Sequence, residues 1–215
     1  MPGVILEYAF CNAVVGTPDG GFAVLWQVRP YFVSTNTFET RGMLIKFSGN
    51  GEPEWVKRLP SPVNDLTIEQ DGNITVDALA KFDLNGNLIW TKNRPGYNVI
   101  KSAALPDGGL ITLSENTSHH ATIAHVDKNG NILWIKRLNT DVISFSFPPV
   151  VVDIAIGYDG NIYVLMNINT PLNISGAFLQ TRILKMSPDG TLLWSKLYSR
   201  NNASWLMPEV IVSTP

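Results

Sequence analysis

Short apolar runs alternate with polar turns along almost the whole chain. The runs last five to nine residues, are rich in Val, Ile, Leu and aromatic side chains, and are punctuated by Gly and Pro. Such runs predict strands and not helices. Residues 127–138, DKNGNILWIKRL, show the unit plainly, with an Asn-Gly turn set between two apolar stretches.

That phrase occurs four times, as IKFSGNGEPEWVKRL (45–59), AKFDLNGNLIWTKN (80–93), AHVDKNGNILWIKRL (124–138) and LKMSPDGTLLWSKLY (184–198). Each copy reads apolar residue, Lys or His, apolar residue, a turn ending in Gly, then a run closing in Trp-x-Lys. The glycines are Gly51, Gly86, Gly130 and Gly190, and the tryptophans are Trp55, Trp90, Trp134 and Trp194. Successive glycines lie 35, 44 and 60 residues apart, so a strict phrase recurs at a loose period. That combination marks repeated supersecondary units joined by loops of variable length.

A second phrase precedes each copy of the first: TPDGGFAVLW (17–26), EQDGNITV (69–76), LPDGGLITL (105–113) and GYDGNIYVL (157–165). Asp-Gly followed by Gly or Asn supplies the positive φ that a tight hairpin turn requires. Each unit therefore reads as four antiparallel strands in a meander. In NILWIKRL, strict alternation would send Ile132 and Trp134 to one face and Leu133 and Ile135 to the other. Sheets apolar on both faces need neighbours on both sides, which radially stacked blades provide. The expectation is an all-β chain, a β-propeller of about four four-stranded antiparallel blades, closed alone or within a larger or oligomeric ring. As one domain over 1–215, its blades span about 5–59, 60–93, 97–138 and 143–198. The Trp of each blade is expected to wedge against the next. Lys57, Lys92, Lys136 and Lys196 follow the tryptophans by two residues, so their stems should run along the indoles while the ammonium groups reach water.

The two phrases together resemble the repeat of quinoprotein-like (PQQ-like) β-propellers, from about residue 10 to 198. The resemblance implies the propeller architecture. It covers a family that includes quinone-dependent alcohol dehydrogenases as well as outer-membrane assembly scaffolds and surface proteins without catalysis. The dehydrogenases have about eight blades, an adjacent cysteine pair and a calcium site. This chain has four units and one cysteine, and no cofactor is expected.

Composition narrows the function classes. Charged residues make up 16% of the chain, below the roughly 25% usual for soluble domains, so polar surface falls to Asn, Ser and Thr. A formal net charge of −2 with dispersed Lys and Arg gives no basic patch for nucleic acid. No apolar run approaches the ~18 residues of a membrane span. No basic residue precedes Arg29, so a signal peptide is not expected at the N-terminus. Cys11, the single cysteine, lies in an apolar run and reads as an inert buried thiol.

Candidate chemistry is sparse. The loops starting at Asp83 and Asp127 place Arg94 and Leu138 where a calcium hand needs a bidentate Glu, so they read as turns. His119 and His125 lie about 20 Å apart along an extended strand, too far to share a metal. His125 occupies the slot held by Lys46, Lys81 and Lys185 in the other copies. No catalytic, cofactor or metal site is assigned. Six residues before Asp19, Asp71, Asp107 and Asp159 stand Ala13, Asp65, Lys101 and Asp153. On first strands lining a central channel, Asp65, Lys101 and Asp153 are the candidate ligand-binding set, or an ion pair that closes the ring. Asn116, Asn173 and Asn202 are glycosylation candidates in predicted loops, and the Asn73 sequon reads as part of a turn.

Residues 209–215, EVIVSTP, match the first-strand phrase NAVVGTP (12–18), so 205–215 read as an extra inner strand that closes the ring or joins a neighbouring subunit. The functional expectation is a non-catalytic binding or assembly module, acting on a protein partner or on itself through 208–215, on a surface or in a larger particle. A strand-exchanging filament or virion subunit and a small lactonase-like or sugar-processing enzyme are the alternatives.

Overall fold

A computed structural model of the chain describes residues 4–32, 37–38, 40–59, 63–94, 98–115, 121–138, 150–171, 177–198 and 211. Every helix or strand element among them is a β-strand, and the strands form four antiparallel sheets. The chain divides into two compact units, Met1–Asn93 and Arg94–Pro215, with two sheets in each.

In the first unit, sheet one contains β1 (Val4–Gly16), β2 (Phe22–Phe32), β3 (Thr37–Phe38), β4 (Arg41–Phe47) and β5 (Pro53–Leu59). Its path is β1-β2-β4-β5, and the two-residue β3 adds to β2. Sheet two is the meander β6 (Leu66–Ile68), β7 (Ile74–Val76), β8 (Ala80–Phe82) and β9 (Leu88–Thr91). In the second unit, sheet three runs β10 (Asn98–Ala104), β11 (Leu110–Glu115), β12 (Ala121–Val126) and β13 (Ile132–Arg137). Sheet four runs β14 (Val150–Ile156), β15 (Ile162–Pro171), β16 (Ala177–Met186) and β17 (Leu192–Tyr198). Within each unit the first strands of the two sheets pack together, β1 on β6 and β10 on β14.

Both repeated phrases form the turns they predict. In the Asp-Gly turn the Asp carboxylate accepts the amide of the residue two positions on, as from Gly21 to Asp19 at 3.1 Å and from Gly109 to Asp107 at 2.9 Å. In the second turn Asp83 and Asp127 each accept the amide four residues on, from Asn87 at 2.8 Å and Asn131 at 2.7 Å. All eight turn glycines have φ between +73° and +84°, the left-handed region that costs glycine nothing.

Strand register makes the copies equivalent residue by residue. Lys46, Lys81, His125 and Lys185 pair across the sheet with Trp55, Trp90, Trp134 and Trp194. A bulge recurs just before each Trp, so Glu54, Ile89, Leu133 and Leu193 have no cross-strand partner. A second bulge recurs in the first strands before Ala13, Lys101 and Asp153.

These bulges correct one sequence expectation. Middle strands are buried on both faces, and β11 is buried at every position from Leu110 to Ser114. Outer strands are not. On β13, Ile132, Leu133 and Ile135 are all exposed and only Trp134 and Lys136 are partly covered. The bulge breaks the alternation from which two-sided burial of NILWIKRL was expected.

Each unit has its own core. Leu25, Leu44, Ile74 and Val76 anchor the first, and Ile111, Leu113, Ile123 and Ile162 the second. Sheet two is the shortest copy, with β7 and β8 joined by Asp77, Ala78 and Leu79, the first two with φ of 50° and 51°. Leu79 closes that turn by donating its amide to the Val76 carbonyl at 2.8 Å. Two successive positive φ angles at the centre of a turn match the right-handed twist of the flanking strands.

Candidate functional site

The register places the Lys or His of β4, β8, β12 and β16 beside the Asp of the first turn in its own sheet. Lys46 lies 2.9 Å from Asp19, Lys81 2.7 Å from Asp71, Lys185 2.6 Å from Asp159 and His125 3.5 Å from Asp107. Three sheets thus hold an ammonium group in the same seat, and each supplies it with a further partner. Glu54, on the bulge, stands 2.9 Å from Lys46 in sheet one, and the Phe47 carbonyl accepts at 3.0 Å. Glu69 stands 2.7 Å from Lys81 in sheet two, where its other oxygen takes the Thr75 hydroxyl. The Tyr163 ring lies 5.2 Å from the Lys185 ammonium in sheet four, and its hydroxyl donates to Asp159 at 3.1 Å.

These seats hold charge firmly. Asp19 is lowered to about 2, first by the Thr17 hydroxyl and then by Lys46. The Lys185 ammonium holds the Asp159 carboxyl below its ordinary range. Burial acts to lower Lys46 and Lys81, yet both are raised overall because their carboxylates outweigh desolvation.

Sheet three departs from the pattern. Imidazole is shorter than a lysine side chain, and the second partner is missing, because Leu133 stands where sheet one has Glu54 and Leu105 where sheet two has Glu69. A pocket of about 190 Å³ opens there, lined by Asp107, Gly109, His125, Asp127, Lys128, Asn129 and Leu133. His125 is only 8% exposed, and its buried Nε2, the atom 3.5 Å from Asp107, makes no hydrogen bond. The Trp134 indole packs on the imidazole edge to face, with ring centres 6.0 Å apart.

The positions chosen from the first strands are equivalent in register. Ala13, Lys101 and Asp153 pair with Leu25, Leu113 and Leu165, and Asp65 lies opposite Asp77 through the Asp77 amide. Asp65 belongs to the first unit, and Lys101 and Asp153 to the second. Asp65 donates its own amide to the Asp77 carboxylate at 2.8 Å, and Asp153 accepts the Ile211 amide at 2.9 Å. Asp77 holds the position of Leu25, Leu113 and Leu165, and burial pushes it up to about 7. Among the described residues no three His, Cys, Asp or Glu side chains converge as a metal site.

The tryptophans do couple neighbouring sheets within a unit. Trp55 donates its Nε1 hydrogen to the Leu84 carbonyl at 2.8 Å, in the turn of sheet two. Lys136 donates to the Asp189 carbonyl at 3.1 Å, in the turn of sheet four. Lys57, Lys136 and Lys196 hold their ammonium groups 6.0, 5.4 and 5.2 Å from the indoles of Trp55, Trp134 and Trp194. Cys11 is exposed, not buried as its apolar run suggested. No described helix is long and apolar enough to cross a membrane. Asn116, Asn173, Asn202, His119 and His120, and all of 208–215 except Ile211, lie outside the described residues.

No protein-family model matches the chain, and no curated protein matches it. The sequence pattern left two features unread. The Asp partner of His125 comes from a turn 18 residues earlier, visible only once β11 and β12 are paired. Asp77 carried a signal, an Asp where three copies have Leu.

Proposed function

We propose that the chain is a β-propeller of the PQQ-like repeat type, acting as a non-catalytic assembly module on a surface or in a larger particle, with further copies of itself as the partner. Four meanders with equivalent registers, first strands packed on one another within each unit and tryptophans seated on the next turn support the architecture.

The assembly reading is carried by one observation. The outer strand of every sheet presents an apolar side chain to solvent: Val56 49%, Ile89 49%, Leu133 59% and Leu193 51% exposed. Apolar exposure repeated from sheet to sheet marks an interaction surface, and the low charge of the chain leaves it unshielded. Exposed apolar edge strands are also where sheets of separate chains pair.

Sedimentation velocity of the full chain across a hundredfold concentration range tests this. The expected result is a mass above the monomer that returns to the monomer in a Val56→Lys, Ile89→Lys, Leu193→Lys variant of unchanged circular dichroism. A wild-type chain that stays monomeric throughout would refute it.

A further inference from the structure

We propose that the sheet-three pocket binds a primary alkylammonium group, which takes the place that a lysine of the chain itself fills in the other three sheets. The inference depends on sheet three alone and goes beyond the assembly reading.

In sheets one, two and four the first-turn carboxylate is met by an ammonium group from the third strand at 2.6–2.9 Å. In sheet three the same carboxylate, Asp107, faces an imidazole in place of the ammonium, 3.5 Å away, while it accepts the Gly109 amide at 2.9 Å. An imidazole is cationic only when protonated, whereas an alkylammonium is cationic throughout the physiological range. His125 Nε2, the atom that faces Asp107 at 3.5 Å, is buried and makes no hydrogen bond, so it adds a second polar atom at the same spot. A neutral imidazole whose Nε2 carries no proton is an acceptor, and the N–H groups of one ammonium can serve Asp107 and His125 together.

The remaining lining fits the rest of such a ligand. Leu133, brought to the pocket by the bulge, supplies an apolar wall for an alkyl stem where sheet one has a carboxylate. Asp107 and Asp127 set two carboxylates against the single lysine, Lys128, so a cation is favoured over an anion. The volume of about 190 Å³ is several times the ~30 Å³ share of one water. The shared chemistry is the primary alkylammonium, whether on a lysine side chain of another protein or on a free amine.

The test is a titration of the full chain with n-butylammonium chloride, following the His125 ring and Leu133 methyl signals by NMR. An end-blocked Gly-Lys-Gly peptide forms a second arm, with n-butanol and tetramethylammonium as controls. Saturable shifts with a Kd on the order of 1–10 mM are expected for an open site with few contacts. Asp107→Asn should weaken binding at least tenfold. His125→Lys should supply the missing ammonium from within and leave the Leu133 methyl signals unmoved by butylammonium. Binding of the peptide assigns the source to a protein lysine, and binding of butylammonium alone assigns it to a free amine. No saturable shift from either, equal shifts from the controls, or undiminished binding in both variants would overturn the proposal. The same titration on the outer-strand lysine variant separates it from assembly, since that variant leaves the pocket residues untouched.

Discussion

Trp55 lies directly over Gly86: a Cβ added to that glycine would stand 2.9 Å from indole Cδ2 and 3.1 Å from Cε2. The indole also hydrogen-bonds the Leu84 carbonyl two residues earlier. Sheet one is therefore seated on the turn of sheet two through the bare face of a glycine. The second unit repeats the device, where a Cβ on Gly190 would meet Trp134 Cη2 at 2.9 Å.

The first prediction follows from a comparison inside the repeat. Gly51 has φ +84° with nothing within 4 Å of an added Cβ, and Gly86 has φ +81° with the indole against it. Gly51→Ala should cost the backbone strain alone, about 1–2 kcal/mol. Gly86→Ala should cost that plus overpacking, a further 1–3 kcal/mol or so. Urea unfolding of both variants checks this, and equal losses would mean the indole does not hold the turn.

The ammonium seats should differ in worth according to burial. Lys81 and Glu69 are both almost fully buried, with side chains 3% and 1% exposed. Lys81→Met strands the Glu69 carboxylate and should cost roughly 3–5 kcal/mol. Lys185 faces an Asp159 that is 42% exposed, where solvent screens the pair, so Lys185→Met should cost much less than Lys81→Met. A Lys81→Met, Glu69→Leu double variant should recover much of the first loss. Denaturant midpoints measure all three, and a Lys185 variant as damaged as the Lys81 variant would contradict the ordering.

How far the sequence reached depended on the range of the interaction. Turns were legible because Asp, Asn and Gly act within four residues of themselves, as Asp83 and Asn87 do. Repeated phrases gave the four meanders, and their alignment placed His125 in a lysine slot. The bulges at Glu54, Ile89, Leu133 and Leu193 were not legible, since a bulge is a relation between two strands and alternation along one strand misses it. The pocket was hidden for the same reason: Asp107, His125 and Leu133 come from three strands or their turns, and only the register brings them together.

Asp77 gives the last prediction, a dependence of stability on pH. Burial raises its folded-state pKa to about 7, and the neighbouring Asp65 charge pushes the same way, against hydrogen bonds from the Asp65 and Asn64 amides. An unfolded Asp titrates near 3.9. A folded value above the unfolded one means the stabilisation is complete below pH 4 and is lost as pH rises through about 7. The size is at most about 4 kcal/mol for three units of difference. Asp19, lowered to about 2, acts in the opposite sense, and its contribution is lost only below pH 4, outside this window. Asp77→Asn keeps an acceptor for the Asp65 amide and removes the ionisation. Its unfolding free energy should therefore be flatter between pH 4 and 8 than that of the wild type, and higher than the wild type at pH 8. Urea unfolding at half-unit pH intervals decides the matter, and parallel profiles for the two proteins would show that Asp77 does not titrate in this range.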